Sequence, residues 1–162
     1  MIRKKKVMYE EDLHEIFYRC PYLIINNPDS IIKTIHEYQL DSNSIPDIYI
    51  ETVTERYFCE VKITKLKEKD LYQAIRYLNT IQSFKGKQNE KNFSVILIGM
   101  NISNQLKEKA RKKNIKTMII GNEIPDSIKI CKNCRKAYDY KNTNCLFCES
   151  KELLEIINLK YP

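Results

Sequence analysis

Residues 47–77 read DIYIETVTERYFCEVKITKLKEKDLYQAIRY, and they contain two strand patterns followed directly by a helix pattern. The segments DIYI and RYFCEVKI are rich in β-branched and aromatic residues, and the polar segment ETVTE separates them. This pattern predicts strands over 47–51 and 56–63 that are joined by a tight turn. The apolar spacing that follows predicts a helix over about 68–84.

Three charged side chains of this segment are predicted to converge. On adjacent antiparallel strands Asp47 and Glu60 point to the same face, and alternation along the strand places Lys62 there too. Two carboxylates so close repel each other unless a cation lies between them, and oxygen ligands of this kind suit Mg²⁺ or Mn²⁺. Such an ion can lower the pKa of a bound water and neutralise charge on a phosphate, while Lys62 orients or deprotonates the water or balances charge on the phosphate. The pattern therefore predicts metal-dependent phosphodiester hydrolysis.

A simpler interpretation of the same residues is a solvated strand face, because alternating charges are common in a lysine-rich chain. Three features favour a site. The segment 59–62 lies inside a strongly apolar strand, and Asp47 follows Pro46 at a strand start. Gln73 and Tyr77 lie four residues apart on one face of the predicted helix, although Tyr77 could also be an aromatic residue at the edge of the core.

A resemblance to the PD-(D/E)xK nuclease superfamily, in its RecB-like branch, is carried by Asp47, Glu60-x-Lys62 and Gln73-x-x-x-Tyr77. More narrowly, the segments EEDLHEIFYRCPYLI, PDIYI, CEVKI and QAIRYL are similar, in order and spacing, to the nuclease domain of the NucS/EndoMS endonucleases. The similarity covers most of the chain. It implies a restriction-endonuclease-like fold and a metal-dependent nuclease activity.

The resemblance also implies a metal site. Asp47 and Glu60 would bind the catalytic Mg²⁺ or Mn²⁺, with Val61 completing the metal-binding segment, and Lys62 would assist the attacking water.

Further site residues are implied on the two flanking helices. Gln73 and Tyr77 would position the motif lysine and the scissile phosphate. Glu10 aligns best with the glutamate of the family's first helix, with Glu11 and Glu15 as alternatives. Nothing in the sequence matches the family's separate N-terminal dimerisation and base-reading domain, so mismatch specificity is not implied.

The rest of residues 1–121 completes an α/β pattern. The predicted elements are a helix over 9–19, a second amphipathic helix over 31–38, a buried strand over 93–100, a helix over 103–113 and a strand over 116–120. Together with residues 47–77 they predict a three-layer α/β domain with a mixed central sheet. The outer face of the helix over 103–113 is basic and would lie either near a DNA backbone or in solvent. His14 and His36 are interpreted as packing or surface residues.

Four of the six cysteines follow in the pattern C-x2-C-x10-C-x2-C, which consists of Cys131, Cys134, Cys145 and Cys148. In an intracellular protein this spacing predicts a structural Zn²⁺ site of four thiolates. We therefore predict a nuclease domain at 1–121, a linker at 122–127 and a zinc ribbon with a C-terminal segment at 128–162. The cations and aromatic residues between the two cysteine pairs could follow a nucleic-acid strand; the alternatives are a module that binds protein or no ligand.

The composition is typical of a folded protein with a polyanionic partner. The 162 residues carry a formal net charge of +7, and the sequence pI is ≈ 9.0, which suits DNA but would also suit an acidic membrane. No apolar run reaches the length of about 18 residues that spans a bilayer, and the basic start MIRKKK leads into no apolar signal region. We therefore expect a cytoplasmic protein.

The function predicted from these patterns is a structure-selective, Mg²⁺- or Mn²⁺-dependent DNA endonuclease that acts on double-stranded or branched DNA in repair, recombination or restriction. Its zinc ribbon would help to hold the substrate. A homodimer is plausible, because cutting both strands of a duplex needs two such sites. The alternative is a non-catalytic DNA-binding or adaptor protein built on an inactive nuclease fold. A third hypothesis is a nuclease that acts on RNA.

Overall fold

The computed structural model describes residues 4–6, 9–25, 30–84, 91–134, 137–139, 148–149 and 155–160. In chain order the elements are β1 (Lys4–Lys6), α1 (Glu10–Arg19), β2 (Ile31–His36), β3 (Ile48–Thr52), β4 (Glu55–Val61), α2 (Glu68–Ser83), β5 (Asn92–Gly99), α3 (Asn104–Lys112), β6 (Ile115–Ile119), β7 (Ser127–Ile130), β8 (Ala137–Asp139) and β9 (Glu155–Asn158). A short 3₁₀ turn, Pro21–Leu23, follows α1.

The central element is a five-stranded sheet with the order β2-β3-β4-β5-β6. β2, β3 and β4 pair antiparallel, whereas β4, β5 and β6 pair parallel. The parallel pairs need a connection that crosses the sheet, and α2 and α3 provide the two connections. The sheet is therefore mixed, as predicted.

Helices cover both faces of this sheet. α1 buries Leu13 and Phe17 in the core on one face, and α2 and α3 bury Leu71 and Leu106 in the core on the other. Because side chains alternate along a strand, β5 contributes to both cores: Val95 and Leu97 lie on the α2 and α3 side, and Ile96 and Ile98 lie on the α1 side. The predicted three-layer α/β class, with one strand buried on both faces, is confirmed.

Local polar contacts fix where the helices begin. The Asp12 carboxylate accepts a hydrogen bond from Tyr9 N–H at 3.0 Å, and the Asp70 carboxylate accepts one from Lys67 N–H at 2.8 Å. The Ser103 hydroxyl accepts a hydrogen bond from a backbone N–H in the first turn of α3. None of the helices in the described ranges combines the length and the apolar character needed to cross a bilayer.

The helix predicted over 31–38 is wrong. This segment forms β2, which pairs with β3 across a register irregularity between Ile31 and Lys33. The apolar spacing fits a helix, but the sequence IIKTIH is dominated by β-branched residues, which favour strands. β2 also lies at the edge of the sheet, where Ile32 is 60% exposed, so its burial lacks the simple alternation of a half-buried strand.

A second sheet has the order β1-β9-β7-β8. β1 pairs parallel with β9, and β7 pairs antiparallel with both β8 and β9. Segments from the two ends of the chain therefore lie side by side.

The division of the chain at residues 122–127 stays a prediction. In the structure this segment is not an exposed tether, because Ile124 is completely buried. Ile124 belongs to the core on the α1 side, together with Ile128, Ile157 and Leu159 around the second sheet. The two sheets thus share one apolar core.

Candidate active site

The end of β4 holds the three charged residues predicted to converge. Ile48 pairs with Cys59 in the register of β3 and β4, so Asp47, which precedes β3, lies beside Glu60. Lys62 follows β4 directly, and its backbone N–H donates to a carbonyl of β5 at 2.8 Å. All three side chains are therefore carried by ordered backbone at one end of the central sheet.

Asp47 is held by a backbone hydrogen bond in an unfavourable electrostatic position. Its Oδ2 accepts a hydrogen bond from Val61 N–H at 2.7 Å. Burial raises the pKa of Asp47 to about 7, and the charge of Glu60 adds to this, against the lowering effects of the Val61 hydrogen bond and Lys62. A cation beside the two carboxylates would favour their charged forms.

Glu60 is a buried carboxylate with one oxygen incompletely satisfied. The residue is 1% exposed. Its Oε2 accepts a hydrogen bond from Tyr77 Oη at 2.7 Å, and its Oε1 lies 2.7 Å from Lys62 Nζ. The Oε1 contact is an ion pair without hydrogen-bond alignment, and no other donor in the described part of the chain reaches this oxygen. The carboxylate oxygens of Asp47 and Glu60 form an oxygen-rich donor set that fits Mg²⁺ or Mn²⁺.

Glu10 completes the acidic surroundings of Lys62. Its Oε1 lies 3.3 Å from Lys62 Nζ, and its Oε2 accepts a hydrogen bond from Ile63 N–H at 3.1 Å. Glu11 and Glu15, the two alternatives, are exposed on other faces of α1. The structure therefore brings Glu10 to the site and leaves the alternatives outside it.

The pKa of Lys62 favours its ammonium form. Burial would lower this pKa, but the contact with Glu60 and the charges of Asp47 and Glu10 outweigh burial and raise it above the usual lysine value. In this form Lys62 can donate hydrogen bonds to a water or a phosphate.

Gln73 and Tyr77 form a hydrogen-bonded chain that ends on Glu60. Gln73 Nε2 donates to Tyr77 Oη at 2.7 Å, and Tyr77 Oη lies 3.2 Å from the carbonyl oxygen of Ile45 in addition to its contact with Glu60. Tyr77 is completely buried, and burial, together with the charge of Glu60, raises the pKa of its hydroxyl above the usual value. The pair contacts Glu60 rather than Lys62, so any effect on the lysine is transmitted through the carboxylate.

His14 lies at the site, although its sequence context indicated only packing or surface exposure. It is 8% exposed, and its Nε2 lies 3.5 Å from Asp47 Oδ2 and 3.4 Å from Val61 O. The signal that would have indicated this role is its spacing of four residues from Glu10, which places both on one face of α1. His36, by contrast, is exposed.

A cysteine cluster lies beside the second sheet, away from the carboxylates. Sγ atoms of Cys131, Cys134 and Cys148 all lie within 4.8 Å of one another, and Cys145 lies outside the described residues. The Cys131 and Cys148 sulfurs are 3.7 Å apart, far longer than a disulfide bond of about 2 Å. Two thiolates on one tetrahedral zinc ion are separated by roughly 3.8 Å, given a Zn–S bond of about 2.3 Å. The cluster therefore has the dimensions of a zinc site.

A basic groove of ≈ 760 Å³ runs along α3 and β6, the edge strand of the central sheet. Its lining includes Lys107, Arg111 and Lys116. Arg111 pairs with Glu108 at 2.8 Å, whereas Lys107 has no ion pair with any acid in the described ranges. Such a groove has the charge expected for contact with a polyanion.

No family model and no curated protein matches the sequence. In structure, the chain is similar to a repair endonuclease from Pyrococcus abyssi, with a TM-score of 0.57 and 17% identity over 73% of this chain and 49% of that one. It is also similar to EndoMS in its complex with double-stranded DNA, with a TM-score of 0.55 and 11% identity over 74% of this chain and 48% of that one. The chain thus spans about half the length of each. Over the part that is shared, the protein has the restriction-endonuclease-like fold of these two structures.

Proposed function

We propose that the protein is a DNA endonuclease that depends on Mg²⁺ or Mn²⁺. The observation that carries this proposal is the pair of neighbouring carboxylates of Asp47 and Glu60, of which Glu60 is 1% exposed and raises the pKa of Asp47 by its charge. Burying two carboxylates side by side is costly, and a fold that needed only stability would be better served by an apolar residue there. A metal-binding function accounts for the arrangement.

Each residue then has a distinct role in phosphodiester hydrolysis. A divalent ion held by Asp47 and Glu60 would lower the pKa of a bound water and neutralise charge on the phosphate. Lys62 donates hydrogen bonds from its ammonium group and orients the water or the phosphate. Glu10 holds Lys62 from the side of α1, and Tyr77 fixes the direction of the Glu60 carboxylate.

A structural role for zinc supplements this proposal. Thiolates of Cys131, Cys134 and Cys148 would hold Zn²⁺, with Cys145 as the fourth predicted ligand. Four thiolates leave no open position for a substrate, so the ion would stabilise the second sheet rather than take part in hydrolysis. The ribbon would present its surface to DNA beside the nuclease core.

Cleavage should depend on the Tyr77 hydroxyl. Changing Tyr77 to Phe keeps the buried ring but removes the hydrogen bond to Glu60, and loss of such a supporting contact typically costs roughly 10- to 100-fold in activity. We expect a decrease of this size in initial cleavage rate at saturating Mg²⁺. Tyr72→Phe, which removes a hydroxyl from an exposed position on the same helix, should leave the rate unchanged. Equal rates for the two variants would contradict the role of Tyr77.

DNA affinity should depend on the exposed lysines along α3 and at its C-cap, which we call the basic face. Lys107, Lys112 and Lys113 are all exposed. Reversing their charge should weaken binding to a short duplex at least about tenfold near 0.1 M salt, because each lost phosphate contact reduces the number of counterions that binding releases from the DNA. The slope of log affinity against log salt should fall by up to about three. Changing the same three residues to Arg keeps the charge and should preserve both quantities. An unchanged slope in the reversed variant would place this face away from DNA.

A panel of nucleic acids tests the function itself. The protein is incubated with supercoiled, branched, mismatched and single-stranded DNA and with RNA, each with Mg²⁺, with Mn²⁺ and with EDTA. Metal-dependent cleavage of a DNA substrate is the expected result. Binding without cleavage under every condition would reject hydrolysis and leave a non-catalytic DNA-binding protein, and preference for RNA would change the substrate class.

Cutting both strands of a duplex calls for two sites, so we further propose that two copies of the chain act on one duplex. Light scattering of the protein alone and with an uncut duplex measures this directly. If the complex contains one chain per duplex and both strands are still cut, a single copy cuts the two strands one after the other, and the proposed pair of copies is rejected.

A further inference from the structure

We propose that β6 binds an extended, acidic segment of a partner protein, which adds to the five-stranded central sheet as a further strand. β6 lies at one edge of that sheet and pairs with β5 in an unbroken parallel register from Ile115 to Ile119. The other edge strand, β2, carries a register irregularity, a device that discourages pairing at a sheet edge. The register of β6 has no such irregularity, so its edge is suited to pairing.

The backbone of β6 directs alternate residues away from the sheet. Ile120 N–H donates to a carbonyl of β5 at 3.0 Å, so the N–H and C=O groups of Ile115, Thr117 and Ile119 point outward. The protein itself occupies the outward N–H of Ile119, which donates to Glu123 Oε2 at 2.8 Å. No residue of the described ranges pairs with the outward backbone groups of Ile115 and Thr117. These two residues therefore offer two donors and two acceptors to an added strand.

The space beside β6 suits the side chains of an added strand, which would alternate between the two faces of the sheet. On the α3 side, residues 115–118 line the basic groove of ≈ 760 Å³. On the α1 side, Lys116 and Met118 line a second cavity of ≈ 530 Å³, together with Tyr57 of β4 and Ile96 of β5. Alternate side chains of an added strand would thus have a space to enter on each face.

The charge of this edge determines which protein segment fits. The Lys116 side chain is 59% exposed, and its Nζ lies 4.0 Å from Glu55 Oε1, a distance at which an exposed ion pair contributes little. If two copies of β6 paired antiparallel through Ile115 and Thr117, Lys116 of each copy would face its counterpart. Like charges directly opposite each other destabilise a sheet, so a second copy fits poorly. An acidic residue opposite Lys116 replaces this repulsion with attraction.

A nucleic-acid backbone matches the outward groups of β6 less well. Phosphate oxygens accept hydrogen bonds but do not donate them, so they would pair with the two N–H groups and leave the two carbonyls without partners. A peptide backbone supplies donors and acceptors at the spacing of a strand, which is how extended segments bind to sheet edges in other proteins. The edge of β6 therefore favours a peptide, and DNA becomes the competing outcome of the test.

Three short peptides, blocked at both ends, serve as probes. Each has the sequence Thr-Val-X-Val-Thr, with Glu, Gln or Lys at X. In the paired register the two valines exchange hydrogen bonds with Ile115 and Thr117, and X faces Lys116. A fourth peptide has Glu at X and N-methyl groups on both valines, which removes its donors. NMR follows binding and the hydrogen exchange of the backbone amides, and the amide of Ile119, already paired with Glu123, is the internal control.

The Glu peptide should slow exchange at Thr117 and bind about fivefold more tightly than the Lys peptide. Lys116→Glu, which changes an exposed side chain, should reverse this order. Lys112→Glu makes the same charge change at an exposed position outside the groove, so it should keep the order of the unaltered protein. The N-methylated peptide should not bind. Thermal midpoints show that both variants are folded.

Three results would overturn the proposal. The first is that no peptide slows exchange at Thr117, and the second is that Lys116→Glu binds the peptides in the same order as the unaltered protein. The third is that a short DNA duplex slows this exchange and the peptides do not displace it, which would make the edge of β6 a DNA surface. Cleavage of nucleic acids is measured separately, so this proposal and the proposed function can fail independently.

Discussion

Changing Glu60 to Gln should lower the rate of DNA cleavage about a thousandfold, which corresponds to about 4 kcal/mol of transition-state stabilisation. Gln keeps the shape of the side chain and can still accept the hydrogen bond from Tyr77. It loses the negative charge that would bind the ion and that pairs with Lys62 at 2.7 Å. Metal-assisted hydrolysis depends on this charge for several kcal/mol. Single-turnover rates measure the effect, and fluorescence anisotropy should show DNA affinity within about threefold of the unaltered protein.

A matched control lies on β3, four residues after Asp47. Glu51 also pairs with a lysine and a tyrosine, since its Oε1 lies 2.6 Å from Lys91 Nζ and its Oε2 accepts a hydrogen bond from Tyr49 at 3.0 Å. Glu51→Gln therefore disturbs a similar set of contacts away from the proposed metal and should leave cleavage unchanged. A Glu60→Gln variant that cleaves within tenfold of the unaltered protein would remove the basis of the proposed function.

Changing Cys131 to Ser should release the zinc ion and lower the thermal midpoint by about 10 °C. Zinc bound by thiolates contributes on the order of 10 kcal/mol to the folding of small domains, and a loss of only about 4 kcal/mol shifts the midpoint of a chain this size by that amount. Cys131 is completely buried directly after β7, so the ion would hold the end of that strand. Zinc content by elemental analysis and the midpoint by circular dichroism measure the two effects.

The control for this variant is Cys20→Ser, because Cys20 is also completely buried but lies in the core on the α1 side. Cys20→Ser measures how far the thermal midpoint falls when a buried thiol outside the zinc site is replaced. The zinc content of this variant should stay at one ion per chain. A strong chelator should reproduce the lower midpoint in the unaltered protein. Protein that is purified without zinc and is insensitive to the chelator would refute the site.

Much of the central sheet could be predicted because its signals are local. The alternation in β3 and β4, the continuous apolar run of β5 and the cap at Ser103 depend on neighbouring residues only. The apolar spacing of β2 predicts a helix because its three isoleucines fit the helical repeat as well as the alternation of a strand. The pairing with β3 decides in favour of the strand. The sequence of one strand does not determine which other strand it pairs with.

In the candidate site, too, the contacts that follow from local patterns could be predicted, and those that depend on long-range packing could not. Strand alternation is enough to bring Asp47, Glu60 and Lys62 to one end of the sheet. The contacts of His14 and Tyr77 depend on how α1 and α2 cross that end, which periodicity along a helix does not determine. Their positions on a helix face could be predicted, but not the carboxylate that each one meets.

The pairing of β1 with β9 has a consequence for synthesis in the cell. Lys4 pairs with Ile156, so β1 is synthesised long before the strand with which it pairs. The central sheet can close earlier, because all its strands lie between the two. Long-range pairing of this kind forms slowly, and a strand without a partner invites aggregation. The three consecutive lysines of β1 carry the charge that discourages such self-association, so we expect them to keep β1 from pairing with another chain before β9 is made.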